Sequence, residues 1–576
     1  MSRSFKDALT KALSLNPDND LAKKIEKKSI RPIMATTLTP SIKSSNSQEP
    51  AKQVNIRVLA KKVGKSMPRR TTPRYKHLQD ERVPQKPLIP IGPPQVVLKF
   101  SGPAKLEWEP IRDQKRKLRK IDLAKGLHSN VSKGEGLVPR PLVMGIDFGT
   151  SCTKVVISDR NLKQAFAVPF MDELGILSYL LPTSLQENQS EYSLDGEGES
   201  WNDLKLSLMA NQQDSVIISR VVAYLALVIR YSRAWFFNNY SNQYSNSDLL
   251  WSIAIGQPAD HALSFESREL FSRIGNLAWI LSLSSESFNA HNILDKWELL
   301  KFKEIEVEDF DCLIIPELAA QIHGFVNSDN FDPKKPNIFL MIDIGAGTLD
   351  LSIFSVRIQD SGYKKFNLFI NSVQPHGVAN FHRHRVNWWQ QELRSNELGV
   401  VAIQQLQSIK MPTEFQGFYP DSFLEYVSQV DVDFLNGALN PDLEFDKTIE
   451  RQVNGCLLKS IKPDSSAGRI LAEKDFNGME YFLCGGGSRH SQFKGIHKLL
   501  QQPQGWNWLK LKPRVLTIPA SIRLEGVQNE DYDRLSVAYG LSLLDFDEVT
   551  QVEKMHSIRD DQISNWNVNY VDKDIC

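Results

Sequence analysis

One short stretch, GIDFGTSCTK, places an acid and small polar residues between two apolar, strand-forming runs. The spacing predicts a hairpin with Asp147 at the end of its first strand and Gly149, Thr150 and Ser151 in the turn. Uncovered backbone N–H groups and two hydroxyls at such a turn can bind phosphate oxygens. A carboxylate at the strand end can hold a hydrated Mg²⁺, which needs few protein carboxylates. We therefore expect a phosphate and metal site at this turn.

A second stretch, NIFLMIDIGAGTLDLSIFSV over residues 337–356, repeats this plan. An apolar strand ends at Asp343, a turn follows, and a second apolar strand leads away. The small residues of this turn are Gly345, Ala346, Gly347 and Thr348. Two such hairpins facing each other would bind the β- and γ-phosphates of a nucleotide from opposite sides, with Asp147 and Asp343 holding the metal through water.

Three glycines follow a third predicted strand in YFLCGGGSRHSQF, residues 481–493. Gly485, Gly486 and Gly487 would let a ribose and a base approach the backbone closely. The helix that follows has Ser488 and Arg489 near its start, and a helix N-terminus suits a polar or anionic ligand. One such turn is a weak indication of a nucleotide site. Three in this order predict a nucleotide with a bound Mg²⁺.

The elements that must position these motifs differ in charge along the chain of 576 residues. Residues 1–140 hold 31 Lys and Arg against 12 Asp and Glu, a net of +19, whereas residues 141–576 carry a net of −18. The length allows roughly two to four domains. From Leu142 onward strands alternate with helices, which predicts an α/β body. The two strand–acid–glycine turns indicate that this body is duplicated.

Composition and pattern divide the chain into an arm, a body and a tail. The predicted segments are short helices in 1–30, a flexible basic tether in 31–95, a basic linker or partner segment with two short strands in 96–140, a first lobe in 141–335, a second lobe in 336–545 with an inserted subdomain at 357–480, and an acidic polar tail in 546–576. The basic arm therefore adjoins an acidic body.

Neither a secretory leader nor a membrane span is expected. The N-terminus, MSRSFKDALTKALSLNPDND, has no apolar core. The most apolar stretch, residues 215–237, contains Arg220, Arg230 and Arg233, which favours a buried helix over a span. The scattered cysteines argue against a disulfide framework or a zinc site. We expect a cytoplasmic protein that does not bind a membrane.

The three motifs resemble those of the actin, sugar-kinase and heat-shock-chaperone ATPase superfamily. GIDFGTSCTKVVI resembles its first phosphate motif, IDIGAGTLDLSIF its second and FLCGGGSRHSQF its adenosine motif. IIPELAAQIHGF and RLSVAYGLSLL resemble its two connecting helices. The resemblance covers about residues 142–545 and implies a two-lobed actin-like fold. Each lobe would contain a mixed sheet with flanking helices, and the nucleotide would lie in the cleft between the lobes.

Within the superfamily, the chain is most similar to the DnaK-type chaperone ATPase domain. Residues 181–209 resemble the chaperone segment in which an acidic hairpin precedes a helix that carries the catalytic Lys. The match assigns that role to Lys205, which would orient the γ-phosphate and the attacking water electrostatically. Glu317 would assist as the acid near the metal, but it follows Pro316, whereas the family's Glu precedes its Pro.

Two other features depart from the chaperones. Their adenine-stacking Arg lies two residues after Gly-Gly-Ser, whereas here Arg489 follows Ser488 directly and His490 takes the later position. The adenine contact is therefore open between these two residues. The residues after Leu544 are few, acidic and polar, so we expect no chaperone-type peptide-binding domain. The additional mass lies in the basic arm and the insert.

These features predict a chaperone-like, DnaK-related ATPase that hydrolyses ATP with Mg²⁺ and acts as a nucleotide-gated switch for a partner. The residues assigned to catalysis are Lys205, Glu317, Asp147 and Asp343. A protein partner would bind the basic arm or the 357–480 insert, and the arm could also bind nucleic acid through its phosphates. The alternatives are an actin-like filament protein, a pseudo-ATPase that senses nucleotide without turnover, and a small-molecule kinase with Asp350 as the substrate acid.

Overall fold

The computed structural model describes residues 92–110, 116–132, 136–258, 264–302, 312–360, 362, 364–410, 419–461, 471–496, 509–543 and 551–554. The predictions for residues 1–30 and for most of the tether and tail lie outside the described residues. From Pro94 onward the described residues belong to one compact unit of the chain.

Strands and helices alternate along this unit, and the predicted mixed α/β class is confirmed. The strands are β1 (Gln95–Leu106), β2 (Val138–Phe148), β3 (Cys152–Asp159), β4 (Gln164–Ala167), β5 (Leu181–Pro182), β6 (Leu185–Asn188), β7 (Glu191–Ser193), β8 (Glu199–Trp201), β9 (Ser247–Gln257), β10 (Cys312–Pro316), β11 (Ile338–Ile344), β12 (Leu349–Ile358), β13 (Lys364–Gln374), β14 (Val427–Leu435), β15 (Asn477–Cys484), β16 (Lys510–Arg514), β17 (Ile522–Arg523) and β18 (Gln551–Lys554). The α-helices are α1 (Leu204–Ala210), α2 (Ser215–Tyr240), α3 (Phe265–Ser282), α4 (Ala290–Phe302), α5 (Glu317–Gln321), α6 (His323–Val326), α7 (Val378–Leu393), α8 (Val400–Ile409), α9 (Pro441–Ile461), α10 (Ser491–Lys494) and α11 (Asp533–Leu543).

The first sheet contains the first predicted hairpin. Its strand order is β10-β9-β2-β3-β4-β17, with β5 beside β3. β2, β3 and β4 form an antiparallel meander, and β9 and β10 lie parallel to β2 on its other side. Residues 142–148 of β2 are buried on both faces, because α2 covers one face and α11 the other. This double burial explains the continuous apolar run before Asp147.

The second sheet has the same plan. Its order is β16-β15-β11-β12-β13-β18. β11, β12 and β13 form the antiparallel meander, and β15 and β16 lie parallel to β11 on its other side. The two sheets therefore share both strand order and strand polarity, and the second predicted hairpin, β11–β12, corresponds to the first, β2–β3.

The helices that follow the fifth strand of each sheet cross closely. α5 follows β10 and α11 follows β16 and β17 in the sequence. A Cβ added to Gly540 would lie 1.8 Å from the Ala320 carbonyl oxygen, so only glycine allows this crossing. One apolar cluster includes Val156 of the first sheet, Phe482 of the second sheet and side chains of both helices. This shared core fixes the two hairpins relative to each other.

The basic segment after residue 95 folds onto the rest of the unit. Its two predicted short strands form one strand, β1, with a register irregularity between Phe100 and Lys105, and β1 pairs with β14. Trp108 packs against the rings of His382, Tyr419 and Tyr426. Further along, the Arg116 guanidinium binds both carboxylate oxygens of Glu173 at 2.7 and 2.8 Å. The segment thus contacts both the insert and the periphery of the first sheet.

The second sheet extends into the predicted insert, residues 357–480. β13 is the third strand of the second sheet, because its apolar residues pair with β12 and face the sheet's core. The additional elements are α7, α8, β14 and α9, which lie between β13 and β15 in the sequence. α7, α8 and β14 share an apolar core around Trp388 and Trp389, whereas the buried side chains of α9 pack in the core of the second sheet.

α2 is long and apolar enough to cross a membrane by length and composition, and 67% of its most apolar window is buried inside the protein. Its side chains form the core beneath the first sheet together with α3. The buried Arg233 donates hydrogen bonds to the carbonyls of Gly126 and Ser282. The burial explains why this sequence is so apolar, as expected of a core helix.

Candidate functional site

The first hairpin contains a buried ion pair. The β2–β3 register places Asp147 opposite Lys154, and Lys154 Nζ lies 2.9 Å from Asp147 Oδ2. Burial lowers the pKa of Lys154, but the charges of Asp147 and Cys152 more than offset it, so that this pKa lies above its usual value. The carboxylate at this strand end therefore has a cation of its own.

Thr183 fixes the turn of the first hairpin. Its hydroxyl donates to the Gly149 carbonyl at 2.8 Å, and its backbone N–H donates to the Ser151 carbonyl at 2.9 Å. A peptide group is planar and trans, so its N–H points opposite to its carbonyl. The N–H groups of Thr150 and Cys152, which follow these two carbonyls, therefore point away from Thr183. The N–H of Thr150 is one of these groups, as the predicted phosphate site requires.

The turn of the second hairpin is held by the start of α7. The carbonyls of Gly345, Ala346 and Gly347 accept backbone hydrogen bonds from residues 377–379, at distances between 2.8 and 3.2 Å. The following N–H groups, those of Ala346, Gly347 and Thr348, consequently point away from α7. Consecutive N–H groups on one side of a turn form an anion-binding concavity. The helix thus orients the predicted phosphate donors.

Two carboxylates face each other in the second hairpin. The β11–β12 register places Asp343 opposite Asp350. Burial and the charge of the neighbouring Glu317 together raise the pKa of Asp343 to about 7. Burial and the charge of Asp343 raise the pKa of Asp350 to about 8. Asp350 Oδ1 is buried and has no hydrogen-bond partner within the described residues. This hairpin is therefore short of positive charge.

The third motif lies directly beside Asp343. β15 is parallel to β11 and places Cys484 next to Asp343. Gly485 has a φ of +85°, and a Cβ at this position would lie 2.3 Å from Asp343 Oδ1. Only glycine leaves room for the carboxylate at this point. A Cβ on Gly487 would similarly lie 2.6 Å from Ile344 Cγ2. The glycines therefore bring the predicted adenosine turn against the second phosphate turn.

Ser488 and Arg489 hold this third turn in place. The Ser488 hydroxyl donates to the Gly485 carbonyl at 2.8 Å. The Arg489 guanidinium lies 3.1 Å from an Asp531 oxygen and 2.7 Å from an Asp533 oxygen, and it also donates to the Gly485 carbonyl. These contacts connect the turn to the start of α11. His490, the other candidate for the adenine contact, is buried and bonded to the Pro420 carbonyl.

Lys205 and Glu317 meet across a long sequence distance. The three-stranded sheet β7-β6-β8 is the predicted acidic hairpin region, and it leads into α1, where Lys205 is the second residue. Lys205 is only 5% exposed, and its Nζ lies 2.7 Å from Glu317 Oε1. Glu317 begins α5, and Gln321, one turn later, donates to Asp343 Oδ2 at 3.2 Å. α5 thus joins Lys205 to the second hairpin.

The structure brings the predicted acids and Lys205 into one electrostatically coupled group. Glu317 and Asp147 both act on Asp343, and Lys205 acts on Asp350. Sequence reasoning missed Gln321 and Arg534. Gln321 lies one helical turn after Glu317 and so shares its face of α5. Arg534 is a cation at the start of a helix, where the helix dipole disfavours positive charge.

The donor set suits a hydrated Mg²⁺. No group of three or more His, Cys, Asp or Glu side chains in the described parts of the chain could hold a metal ion directly. Mg²⁺ usually keeps several waters and binds through one or two carboxylates, all oxygen donors. Asp147 and Asp343 provide such oxygens, and the raised pKa of Asp343 shows that a cation would stabilise its charged form.

A scan against protein-family models and a search of the curated proteins both found no match for this chain.

Proposed function

We propose that the chain is an ATP-binding, DnaK-related ATPase with a two-lobed actin-like fold, and that it acts as a nucleotide-gated switch for a partner protein. The duplicated strand order and polarity support the fold, with the first and second sheets as the cores of the two lobes. The crossing of α5 and α11 supports their identity as the two connecting helices.

The convergence of Lys205, Glu317 and Asp343 beside the three glycine-containing turns is the observation that carries this proposal. Thr150, Ser151 and the turn at residues 345–348 would bind the phosphates. Gly485–Gly487 would seat the adenosine. Asp147 and Asp343 would hold Mg²⁺ through water, and the bound metal would neutralise charge on the phosphates.

The Lys205–Glu317 pair would position the water that attacks the γ-phosphate. Glu317 can accept a hydrogen bond from that water, while the Lys205 ammonium can donate to the water or to a phosphate oxygen. Both groups are fixed by their mutual contact, and fixed donors and charges lower the cost of reorganisation during phosphoryl transfer. Their role is therefore electrostatic and positional.

The insert is the element best placed to transmit the nucleotide state. α7 begins at the phosphate turn of the second hairpin and continues into the apolar core around Trp389. A change in that turn when the γ-phosphate leaves would move the start of α7, as in other nucleotide switches. A cytoplasmic protein partner would read this movement on the insert or through the basic arm, where nucleic acid is a second candidate ligand.

The test is ATP binding and single-turnover hydrolysis with Mg²⁺, using the full chain and Lys205→Met. We expect the variant to bind ATP with nearly wild-type affinity and to lose turnover by about 100-fold or more, the effect of removing one electrostatic catalytic group. Lys296→Met is the matched control, because it removes a surface ion pair with Glu286 away from the site. Absence of ATP binding by the wild type would refute the proposal.

A pseudo-ATPase sensor is a second candidate function. The close Lys205–Glu317 contact favours it, because a paired Lys has fewer donors for the phosphate and water. The same experiment separates the two functions, since a sensor binds ATP without wild-type turnover. The kinase alternative is disfavoured by Asp350, because its Oδ1 is buried and the residue faces Asp343 across the hairpin. The filament alternative has no specific support in the described residues.

A further inference from the structure

Arg534 is the second residue of α11. Its guanidinium makes no hydrogen bond or ion pair with the described residues. The other cations of the site are paired, namely Lys154 with Asp147, Lys205 with Glu317, and Arg489 with Asp531 and Asp533. Arg534 lies near the same two acids as Arg489 but binds neither. The site therefore contains one guanidinium whose donors are not used.

The Arg534 guanidinium lies beside Gly486. A Cβ added to Gly486 would lie 3.6 Å from its Nη2 and 3.8 Å from both its Cζ and its Nε. These distances show that the guanidinium lies against Gly486, within the glycine turn of the third motif. On its other side it is close enough to Cys152 and Lys154 of the first hairpin for their charges to interact. It thus lies between the first and third motifs.

This placement is unfavourable for an isolated protein. Burial lowers the pKa of Arg534, and the nearby charges of Asp531 and Asp533 offset this only in part. The positive end of α11 also opposes a cation there. Arg534 and Lys154 repel each other across the gap. A poorly solvated cation without a partner costs free energy unless an anion accompanies it. An anionic ligand between the two cations would remove this cost.

We propose that Arg534, together with Lys154, binds the phosphate chain of the nucleotide between the first hairpin and the Gly485–Gly487 turn. The planar guanidinium presents donors in a fork that matches phosphate oxygens. This inference rests on the proposed function and adds a phosphate contact from α11 to the three turns. It implies that Arg534 contacts the phosphates and that the adenosine contact is left to the Gly485–Gly487 turn.

Isothermal titration of the full chain with ATP, ADP and adenosine, each with Mg²⁺, tests this inference. We expect Arg534→Met to weaken ATP and ADP binding by about 10- to 100-fold, the effect of losing hydrogen bonds to a charged group. Adenosine affinity should not change, and the unfolding midpoint without ligand should rise. Arg534→Lys should weaken ATP binding less than Arg534→Met. Arg523→Met, at the exposed residue of β17, should leave all three affinities unchanged.

Two results would overturn the inference: equal losses for ATP and adenosine in Arg534→Met, or no loss for ATP. If Arg534→Met does not fold, Arg534→Lys provides the same comparison with the charge retained. Inorganic tripolyphosphate separates this inference from the proposed function. Binding of tripolyphosphate that depends on Arg534, without nucleotide binding, would support the anion site and refute the ATPase proposal. Binding of neither ligand by the wild type would refute both.

Discussion

The two hairpins have the same topology but opposite charge balance. In each, an Asp near the strand end faces the residue seven positions later across the turn. In the first hairpin that residue is Lys154, which neutralises Asp147. In the second it is Asp350, which adds a further acid beside Asp343. One hairpin is therefore electrostatically complete, and the other needs a cation from outside.

This difference in charge balance indicates different roles for the two hairpins. The first hairpin has an internal ion pair and can remain rigid without a ligand. The second has carboxylates with raised pKa values, so Mg²⁺ or another cation would stabilise its charged form. Because α7 starts at the second turn, the hairpin that changes charge state is also the one connected to the insert.

The largest effect on stability is expected at Gly485, the glycine that leaves room for the Asp343 carboxylate. Gly485→Ala would place a methyl group 2.3 Å from Asp343 Oδ1 on a backbone with φ of +85°. We expect the free energy of unfolding to fall by about 2–4 kcal/mol, from strain and overpacking. Chemical denaturation measures this change. Gly495→Ala is the control, because nothing lies within 4 Å of its added Cβ, and equal effects would contradict the crowding at Asp343.

Neutralising the two aspartates should have opposite effects on stability. Asp147→Asn leaves Lys154 unpaired and should lower the free energy of unfolding by about 1–3 kcal/mol in metal-free buffer at pH 8. Asp343→Asn removes an uncompensated charge and should raise it by about 1–2 kcal/mol, since Asp343 is half-buried and partly screened. Chemical denaturation of both variants measures the contrast. Changes of the same sign would refute the comparison of the hairpins.

The contribution of Asp343 to stability depends on pH. The pKa of Asp343 is about 7 in the folded protein, above that of an unfolded Asp. Between about pH 4 and 7 the folded state keeps a proton that the unfolded state has lost, so the wild type loses stability as pH rises. The advantage of Asp343→Asn should grow over this range and then stay constant. Adding Mg²⁺ at pH 8 should stabilise the wild type and leave Asp343→Asn nearly unchanged.

A smaller effect on stability is expected from His382. This residue lies on α7, the helix whose start holds the turn of the second hairpin. Its ring bonds the Tyr426 hydroxyl and the Ile409 carbonyl, each at 2.7 Å. Burial, with the charges of Arg383 and Arg385, lowers the pKa of His382 to about 4. The neutral ring therefore stabilises the fold above about pH 6.5, and this stability is lost as pH falls toward 4.

His382→Gln should lower the free energy of unfolding by about 1 kcal/mol at pH 7.5, through its lost hydrogen bonds. The difference from the wild type should shrink at pH 5, because Gln does not titrate. Urea denaturation at both pH values measures this. ATP affinity should fall slightly, because the second turn loses its support. A difference that grows at pH 5 would show that His382 is charged in the folded protein.

The local parts of the site were predictable from the sequence. Apolar runs that end in Asp147 and Asp343, each followed by small turn residues, define hairpins through short-range patterning alone. The mixed α/β class followed from the same alternation. Glycine at residue 485 also marked a place of close approach, although the sequence could not show that the approaching group is the Asp343 carboxylate.

Contacts between distant segments could not be predicted in this way. Arg489 has the residue type of an adenine contact, but Asp531 and Asp533 bind its guanidinium, whereas Arg534 keeps unused donors. The two arginines differ only in their three-dimensional surroundings. Likewise, the sequence predicts short strands in the basic linker or partner segment at residues 96–140, but it does not predict that β1 pairs with β14. Strand pairing depends on a partner far along the chain.

The sequence by itself determined the three turns, their acids and the alternation of strands and helices, since hydrophobic periodicity and turn chemistry act over a few residues. Only the tertiary structure decided which charges compensate one another. Lys205 meets Glu317 across 112 positions of sequence, and α5 joins Glu317 to Asp343 through Gln321. Charge pairing and burial depend on distance in space, and the packing of the two sheets around α5 and α11 sets those distances.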